Sequence, residues 1–96
     1  ETASSTRVLF VNFGGAEESL CLQLASELRR NGINTELYPE NAKIKKQFSY
    51  ADSKQIPFVV IIGESERLKG EYQLKNMKTG EQIMVTPEQI IQHIQA

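Results

Sequence analysis

The chain has 96 residues, 40% of them hydrophobic and 24% charged, and its formal net charge is −1. This length predicts one domain with a core of its own. The near-zero net charge argues against a strongly basic protein that binds DNA or RNA without regard to sequence, because that requires many lysines and arginines. No apolar run approaches the ~20 residues of a membrane span, so no membrane role is expected.

The start of the chain differs in composition from the rest. Residues 1–6 are polar and do not begin with methionine, so we interpret them as the remnant of a linker and residues 7–96 as the domain. The single cysteine, Cys21, rules out an internal disulfide and favours a reducing, cytoplasmic compartment. It lies on the apolar face of a predicted helix, which indicates packing and not nucleophilic chemistry.

The first half of the chain alternates strand and helix patterns. Residues 7–13 are rich in β-branched and aromatic residues, which predicts a buried strand that stops at Gly14. Apolar residues then recur at helical spacing over 16–30. A second strand over 33–38 and a basic helix over 43–54 follow. This alternation predicts right-handed crossovers and a parallel sheet.

The second half begins with a continuous apolar strand, residues 56–62, which ends at Gly63. Residues 64–70 read as an irregular polar excursion. Two further strands, 71–77 and 81–85, are joined so tightly that they must be antiparallel. A capping motif, Thr86-Pro87-Glu88-Gln89, then starts a short final helix.

The sequence shows none of the residue patterns that we tested for catalysis or nucleotide binding. Gly14-Gly15 lacks the third glycine of a dinucleotide-binding turn and is followed by no P-loop lysine. His93, the only histidine, lies beside the apolar face of the last helix and is interpreted as solvated. We therefore predict no catalytic residue and no metal site.

A binding edge is the stronger candidate. Loops after parallel strands bind ligands, and the Gly63 loop offers the carboxylates of Glu64 and Glu66. Lys75 and Asn76 are expected beside the same edge. Such groups read the base edges of single-stranded RNA, whereas the bland alternative is that the glutamates cap a turn and Lys75 is a surface charge. Residues 43–80 contain eight basic and four acidic side chains, an excess that fits a surface for a polyanion and equally fits the solvated faces of helices and turns.

Several strings together carry a family resemblance: Lys45-Lys46-Gln47-Phe48-Ser49-Tyr50-Ala51, Ile56-Pro57-Phe58-Val59-Val60-Ile61-Ile62-Gly63-Glu64 and Leu74-Lys75-Asn76-Met77-Lys78-Thr79-Gly80-Glu81-Gln82. Through them the chain resembles the C-terminal anticodon-binding domain of class II aminoacyl-tRNA synthetases, most closely the histidyl-tRNA synthetase branch. The resemblance implies a three-layer α/β/α fold with three main helices and a mixed five-stranded sheet of order 2-1-3-4-5, in which strand 4 is antiparallel. The strings that begin at Lys45 and at Leu74 are the ones specific to that branch.

The resemblance also implies a partner, the anticodon loop of histidine tRNA. A separate catalytic domain, which uses ATP and Mg²⁺, attaches histidine in that family, and none of its motifs occurs in these 96 residues. No cofactor is therefore expected in this chain. Full-length members are homodimers, whereas this chain alone could be a monomer. The RNA contacts that the resemblance implies are Phe13, Gly14, Asn41, Lys43, Glu64, Glu66, Lys75 and Asn76, the last standing where the family often has an acid.

Two other functions remain open at the level of sequence. The chain could be a stand-alone RNA-binding accessory domain or regulator of the same fold. Alternatively, its basic helix over 43–54 could dock a protein.

Overall fold

A computed structural model describes residues 6–95, so the predicted linker lies outside the described residues except for Thr6. The described chain forms a five-stranded sheet of order β2-β1-β3-β4-β5, in which β4 is antiparallel to both neighbours. The predicted strand order and direction are confirmed. The elements are β1 Val8–Phe10, α1 Gly15–Arg30, β2 Thr35–Leu37, α2 Ile44–Ser53, β3 Phe58–Ile61, α3 Glu64–Lys69, β4 Tyr72–Asn76, β5 Gln82–Val85 and α4 Pro87–Gln95.

The sheet separates two apolar layers, because successive side chains of a strand point to opposite faces. Val8 and Phe10 of β1 pack on the side of α1 and α4, together with the buried Ile90. Leu9 and Val59 pack on the side of α2 with Ala51, Ile56 and Tyr38. The three layers expected from the resemblance are therefore present.

One short helix adds to the three main helices that were expected. Residues 64–70, predicted only as a polar excursion, contain α3, so the described chain has four helices. Glu66 stabilises its first turn, since Oε1 accepts a hydrogen bond from the Gly63 backbone N–H at 2.9 Å. Gly70 ends it in the left-handed conformation, with φ 78°, which glycine adopts without strain. A helix of this length is too short to show a helical apolar period.

The α2 side of the sheet is only partly covered. Val59 of β3 packs under α2, but no residue of β5 belongs to the core on this side. Tyr72, Leu74 and Val85 face the α1 and α4 layer, so the residues that alternate with them face the α2 side. We call these four residues the open sheet face: Gln73, Lys75, Gln82 and Met84.

The pairing of the strands fixes the arrangement of the open sheet face. Gln73 lies between Ile61 and Met84, and Lys75 lies between Val59 and Gln82. Met84 is 47% exposed. Within residues 6–95 no helix combines the length and apolar character needed to cross a bilayer.

Candidate nucleic-acid interface

Asn12 shapes the loop that follows β1. The residue is buried, and its Oδ1 accepts a hydrogen bond from the Gly14 backbone N–H at 2.8 Å. Its Nδ2 donates to the Tyr38 carbonyl at 2.9 Å, which ties this loop to the end of β2. Gly14 has φ 77°, and a Cβ there would lie 3.2 Å from Nδ2 of Asn41. Phe13, Gly14 and Asn41 are therefore brought together at the carboxyl ends of β1 and β2.

Gln47 holds α2 against this edge. Its side chain is fully buried, and Oε1 accepts from the Asn12 backbone N–H at 2.7 Å. Nε2 donates to the carbonyls of Asn12 and Ala42 at 2.9 and 2.8 Å. A buried amide with all these partners fixes its surroundings, because leaving any of them unpaired is costly. The position of Lys43, the N-cap residue of α2, follows from this anchor.

The outer surface of α2 carries exposed positive charge. Lys43 and Lys45 are exposed, and Lys46 lies 3.6 Å from Glu40 in a pair whose side chains are both more than half exposed. A pair this exposed contributes little, so Lys46 remains available to other anions. The start of α2 therefore presents several exposed cations to solvent.

Lys75 connects the open sheet face to α2. Its Nζ lies 4.6 Å from the ring centroid of Phe48, within cation–π range. Phe48 and Phe13 are both half-buried and pack against the α2-side core. Lys75 is itself only partly exposed, so it is more than a solvated surface charge.

The two glutamates of the Gly63 loop differ in their surroundings. Both carboxylate oxygens of Glu66 are engaged, Oε1 by the Gly63 N–H and Oε2 by Nε2 of Gln73 at 3.0 Å. The hydrogen bond from Gln73 lowers the pKa of Glu66 below its usual value. Glu64 is exposed and makes no side-chain hydrogen bond or ion pair within the described chain. Glu66 therefore caps a turn, which was the alternative to RNA binding for both glutamates, whereas Glu64 does not.

Asn76 does not lie beside these glutamates, and that expectation was wrong. It pairs with Phe58 at the start of β3, whereas Gly63 follows the end of that strand. Its Oδ1 accepts hydrogen bonds from the backbone N–H groups of Lys78 and Thr79 at 2.9 and 3.2 Å, so the side chain supports the hairpin turn. Because β4 is antiparallel, it carries Asn76 away from the Gly63 edge. Lys75 also lies towards that end, but on the open sheet face.

A comparison with protein families matches residues 7–96 to a model described as an anticodon binding domain. The chain belongs to this family. It is 47% identical over 96 residues to a histidine–tRNA ligase of Phocaeicola vulgatus, covering all of this chain and 21% of that protein. It is 52% identical over 85 residues to the enzyme of Porphyromonas gingivalis, covering 88% and 19%. This anticodon-binding domain thus spans about one fifth of the relatives it matches.

Solved structures agree with the family. The histidyl-tRNA synthetase of Nostoc sp. PCC 7120 superposes with a TM-score of 0.90 at 30% identity, over 96% of this chain and 22% of that one. The RNA binding domain of threonyl-tRNA synthetase from Cryptosporidium parvum superposes with a TM-score of 0.87 over 96% of this chain and 23% of that one. At 20% identity, that second match shows the fold alone. The expected likeness to the histidyl branch is confirmed.

Three polar residues of the interface were missed at the sequence level: Asn12, Gln47 and Gln73. Gln47 is three residues from Ile44 and four from Ala51, so helical spacing placed it on the buried side. A polar residue at a buried position signals a hydrogen-bonded anchor. Gln73 had a weaker signal, its alternation with the apolar Tyr72 and Leu74.

The other reactive groups of the anticodon-binding domain are structural. Cys21 is buried, its thiol lies 3.7 Å from the Val11 carbonyl, and burial raises its pKa to about 12. It is therefore not a nucleophile. His93 is exposed on α4, as expected. Over residues 6–95, no three His, Cys, Asp or Glu side chains are grouped so that they could hold a metal ion.

Proposed function

We propose that this domain recognises the anticodon loop of histidine tRNA as part of a histidine–tRNA ligase whose ATP-dependent chemistry takes place in another domain. One observation carries the proposal: an uncovered sheet face with amide, ammonium and apolar groups lies directly beside a lysine-bearing helix. Base edges and phosphates of one RNA loop can be contacted there together. The identity to histidine–tRNA ligases supports the choice of tRNA.

The proposed contact residues differ in the part of the RNA that each can contact. Lys43 and Lys45 are exposed point charges on flexible stems, suited to phosphates. Lys75 and Gln73 are half-buried on the open sheet face, where a base can approach closely enough to pair. Met84 offers exposed apolar surface against which a base can lie. Glu64, in the first turn of α3, lies towards the Gln73 end of this face, and Asn41 lies beside Gly14 after β1; both remain proposed contacts.

The proposal predicts a preference among anticodons. Fluorescence anisotropy of the wild-type chain should show tighter binding to a histidine anticodon stem-loop than to the same stem-loop with all three anticodon bases changed. Because changing all three bases removes every base contact, the changed stem-loop should bind roughly tenfold or more weakly than the histidine stem-loop. Equal dissociation constants for the two RNAs would contradict the proposal.

Lysine variants test the division of roles. Lys43→Ala should weaken binding to both stem-loops equally and reduce the slope of log K against log salt by roughly 0.7, the value for one lost phosphate contact on a single strand. Arg30→Ala is the control, because it removes the same charge from the exposed end of α1, which packs on the opposite side of the sheet. A preference for one stem-loop that changes in Lys43→Ala would place this lysine at a base instead.

We also propose that the complete ligase is a cytoplasmic homodimer. The family resemblance supports the dimer, and the free, buried thiol of Cys21 is compatible with a reducing compartment. Sedimentation of the complete enzyme tests the dimer, and a monomeric species would contradict it.

A further inference from the structure

Gln73 is held from both sides of its carboxamide. Nε2 donates a hydrogen bond to Oε2 of Glu66 at 3.0 Å, and Oε1 accepts one from Nε2 of Gln82. The carboxamide therefore has a fixed orientation, with its nitrogen towards α3 and its oxygen towards β5. Gln73 is only partly buried and lies at the end of the open sheet face beside Ile61, the last residue of β3.

Each atom of this carboxamide keeps one further hydrogen-bonding position. An amide nitrogen has two hydrogens and an amide oxygen has two lone pairs, and the contacts to Glu66 and Gln82 use one of each. We propose that the remaining N–H and lone pair of Gln73 read one base of the anticodon, and that Glu66 and Gln82 are positioning residues that set the order of donor and acceptor. The inference rests on the proposed function and names a specificity residue within it.

A fixed donor–acceptor order distinguishes keto bases from amino bases. Guanine and uracil present a carbonyl oxygen next to an N–H, whereas adenine and cytosine present an amino group next to a bare nitrogen. An amide that gives its N–H to the carbonyl and accepts from the neighbouring N–H matches guanine or uracil. Histidine codons are CAU and CAC, so the complementary anticodon GUG contains keto bases only.

Glu66 enforces this order because a carboxylate only accepts hydrogen bonds. If the Gln73 amide turned over, its oxygen would face the carboxylate without a proton between them. Glu66 is itself held by the Gly63 N–H, so it cannot turn away without losing the cap of α3. The hydrogen bond from Gln73 also lowers the pKa of Glu66, as expected when a donor faces the ionised carboxylate.

The test uses stem-loops in which a single anticodon base is exchanged for the amino base of the same size, guanine for adenine or uracil for cytosine. Wild-type protein should bind each exchanged loop more weakly, by roughly tenfold or more for a base read by two hydrogen bonds. In Gln73→Met, the loss of affinity caused by a base exchange should fall to about twofold at one anticodon position and stay as in wild type at the other two. We call this loss of affinity the penalty. Gln92→Met, the same exchange on the exposed face of α4, should keep all three penalties. Three unchanged penalties in Gln73→Met overturn the inference.

Glu66→Gln tests the positioning role, because its amide oxygen can still accept from Gly63 while its nitrogen no longer enforces the orientation of Gln73. The penalty should fall at the same position as in Gln73→Met, and combining the two changes should lower it no further. A further, independent loss in the double variant would mean that Glu66 contacts the base itself, against the inference. Circular dichroism on each variant checks that the fold is retained.

If wild type shows no preference for the histidine loop, the proposed function fails. If that preference survives and only the Gln73 effect is missing, the inference alone fails.

Discussion

At the scale of single residues, the buried amides determine how the interface is built. Asn12 and Gln47 join the end of β1, the end of β2 and the start of α2 through five hydrogen bonds of 2.7 to 2.9 Å. Apolar residues at these positions would bury as well but would leave backbone groups without partners. The amides are therefore required by the geometry of the loops and not by the size of the core.

Replacing Gln47 should reveal this requirement. Gln47→Leu keeps the volume but leaves the backbone N–H and C=O of Asn12 and the carbonyl of Ala42 unpaired, so the free energy of unfolding should fall by about 3 kcal/mol. Urea denaturation measures it. Gln92→Leu, on the exposed face of α4, should stay within about 0.5 kcal/mol of wild type. A similar change in both variants would mean that the network adds no stability.

Glu36 should make stability depend on pH. Burial raises its pKa, but hydrogen bonds from the hydroxyls of Thr6 and Tyr50, at 2.5 and 2.6 Å, outweigh burial, and the net pKa is below its usual 4.5. A depressed pKa contributes stability above pH 4.5 that is lost as pH falls through the lower, folded value. Wild type should therefore be more stable than Glu36→Gln at pH 7, and the difference should shrink below pH 4.5.

Urea midpoints of both proteins between pH 7 and pH 3 provide the measurement. Glu40→Gln is the control, because Glu40 has only the exposed pair with Lys46. Its difference from wild type should be small across the range. A constant difference between wild type and Glu36→Gln at every pH would contradict the role assigned to the carboxylate.

At the scale of elements, α4 behaves as its sequence motif indicates. Thr86 Oγ1 accepts a hydrogen bond from the Gln89 N–H at 3.4 Å, and Gln89 Oε1 accepts one from the Thr86 N–H at 2.9 Å. The cap positions Ile90 and Ile94, which are buried against the sheet. A short helix depends on such a cap because it has few internal hydrogen bonds.

Thr86→Ala should therefore lower the free energy of unfolding by about 1 kcal/mol, and Thr86→Ser, which keeps the hydroxyl, should lose much less. Thermal unfolding followed by circular dichroism distinguishes the two variants. Equal losses in both would mean that the methyl group, and not the cap, is responsible.

The elements that were predicted correctly have apolar residues at a regular spacing over many positions or are bounded by clear turn residues. The helix α1, the buried strand β3 and the hairpin all carry such signals. By contrast, α3 is held by one carboxylate cap and one left-handed glycine, which a polar six-residue segment does not reveal. Asn76 was misplaced because it ends an antiparallel strand, so it lies beside the start of β3 and not beside Gly63 at the other end.

At the scale of the whole molecule, uneven helix coverage matters more than net charge. The total charge of −1 gives no indication of nucleic-acid binding, yet α2 carries exposed lysines and contacts the open sheet face where Phe48 meets Lys75. Sequence predicted the basic segment, but not that the polar face of β4 and β5 lies beside it. That juxtaposition follows from the strand order, because β4 and β5 lie beyond β3, the last strand whose residues belong to the core under α2.

The most direct test of this account is an amide chemical-shift titration of the labelled chain with a histidine anticodon stem-loop, repeated with the anticodon bases changed. We predict shifts at Lys43, Gln73, Lys75 and Gln82 with the histidine loop, few at exposed positions of α4 such as Gln92, and loss of the shifts at Gln73 and Lys75 with the changed loop. Shifts concentrated on α4, or identical shifts with both loops, would contradict recognition of the anticodon by the open sheet face.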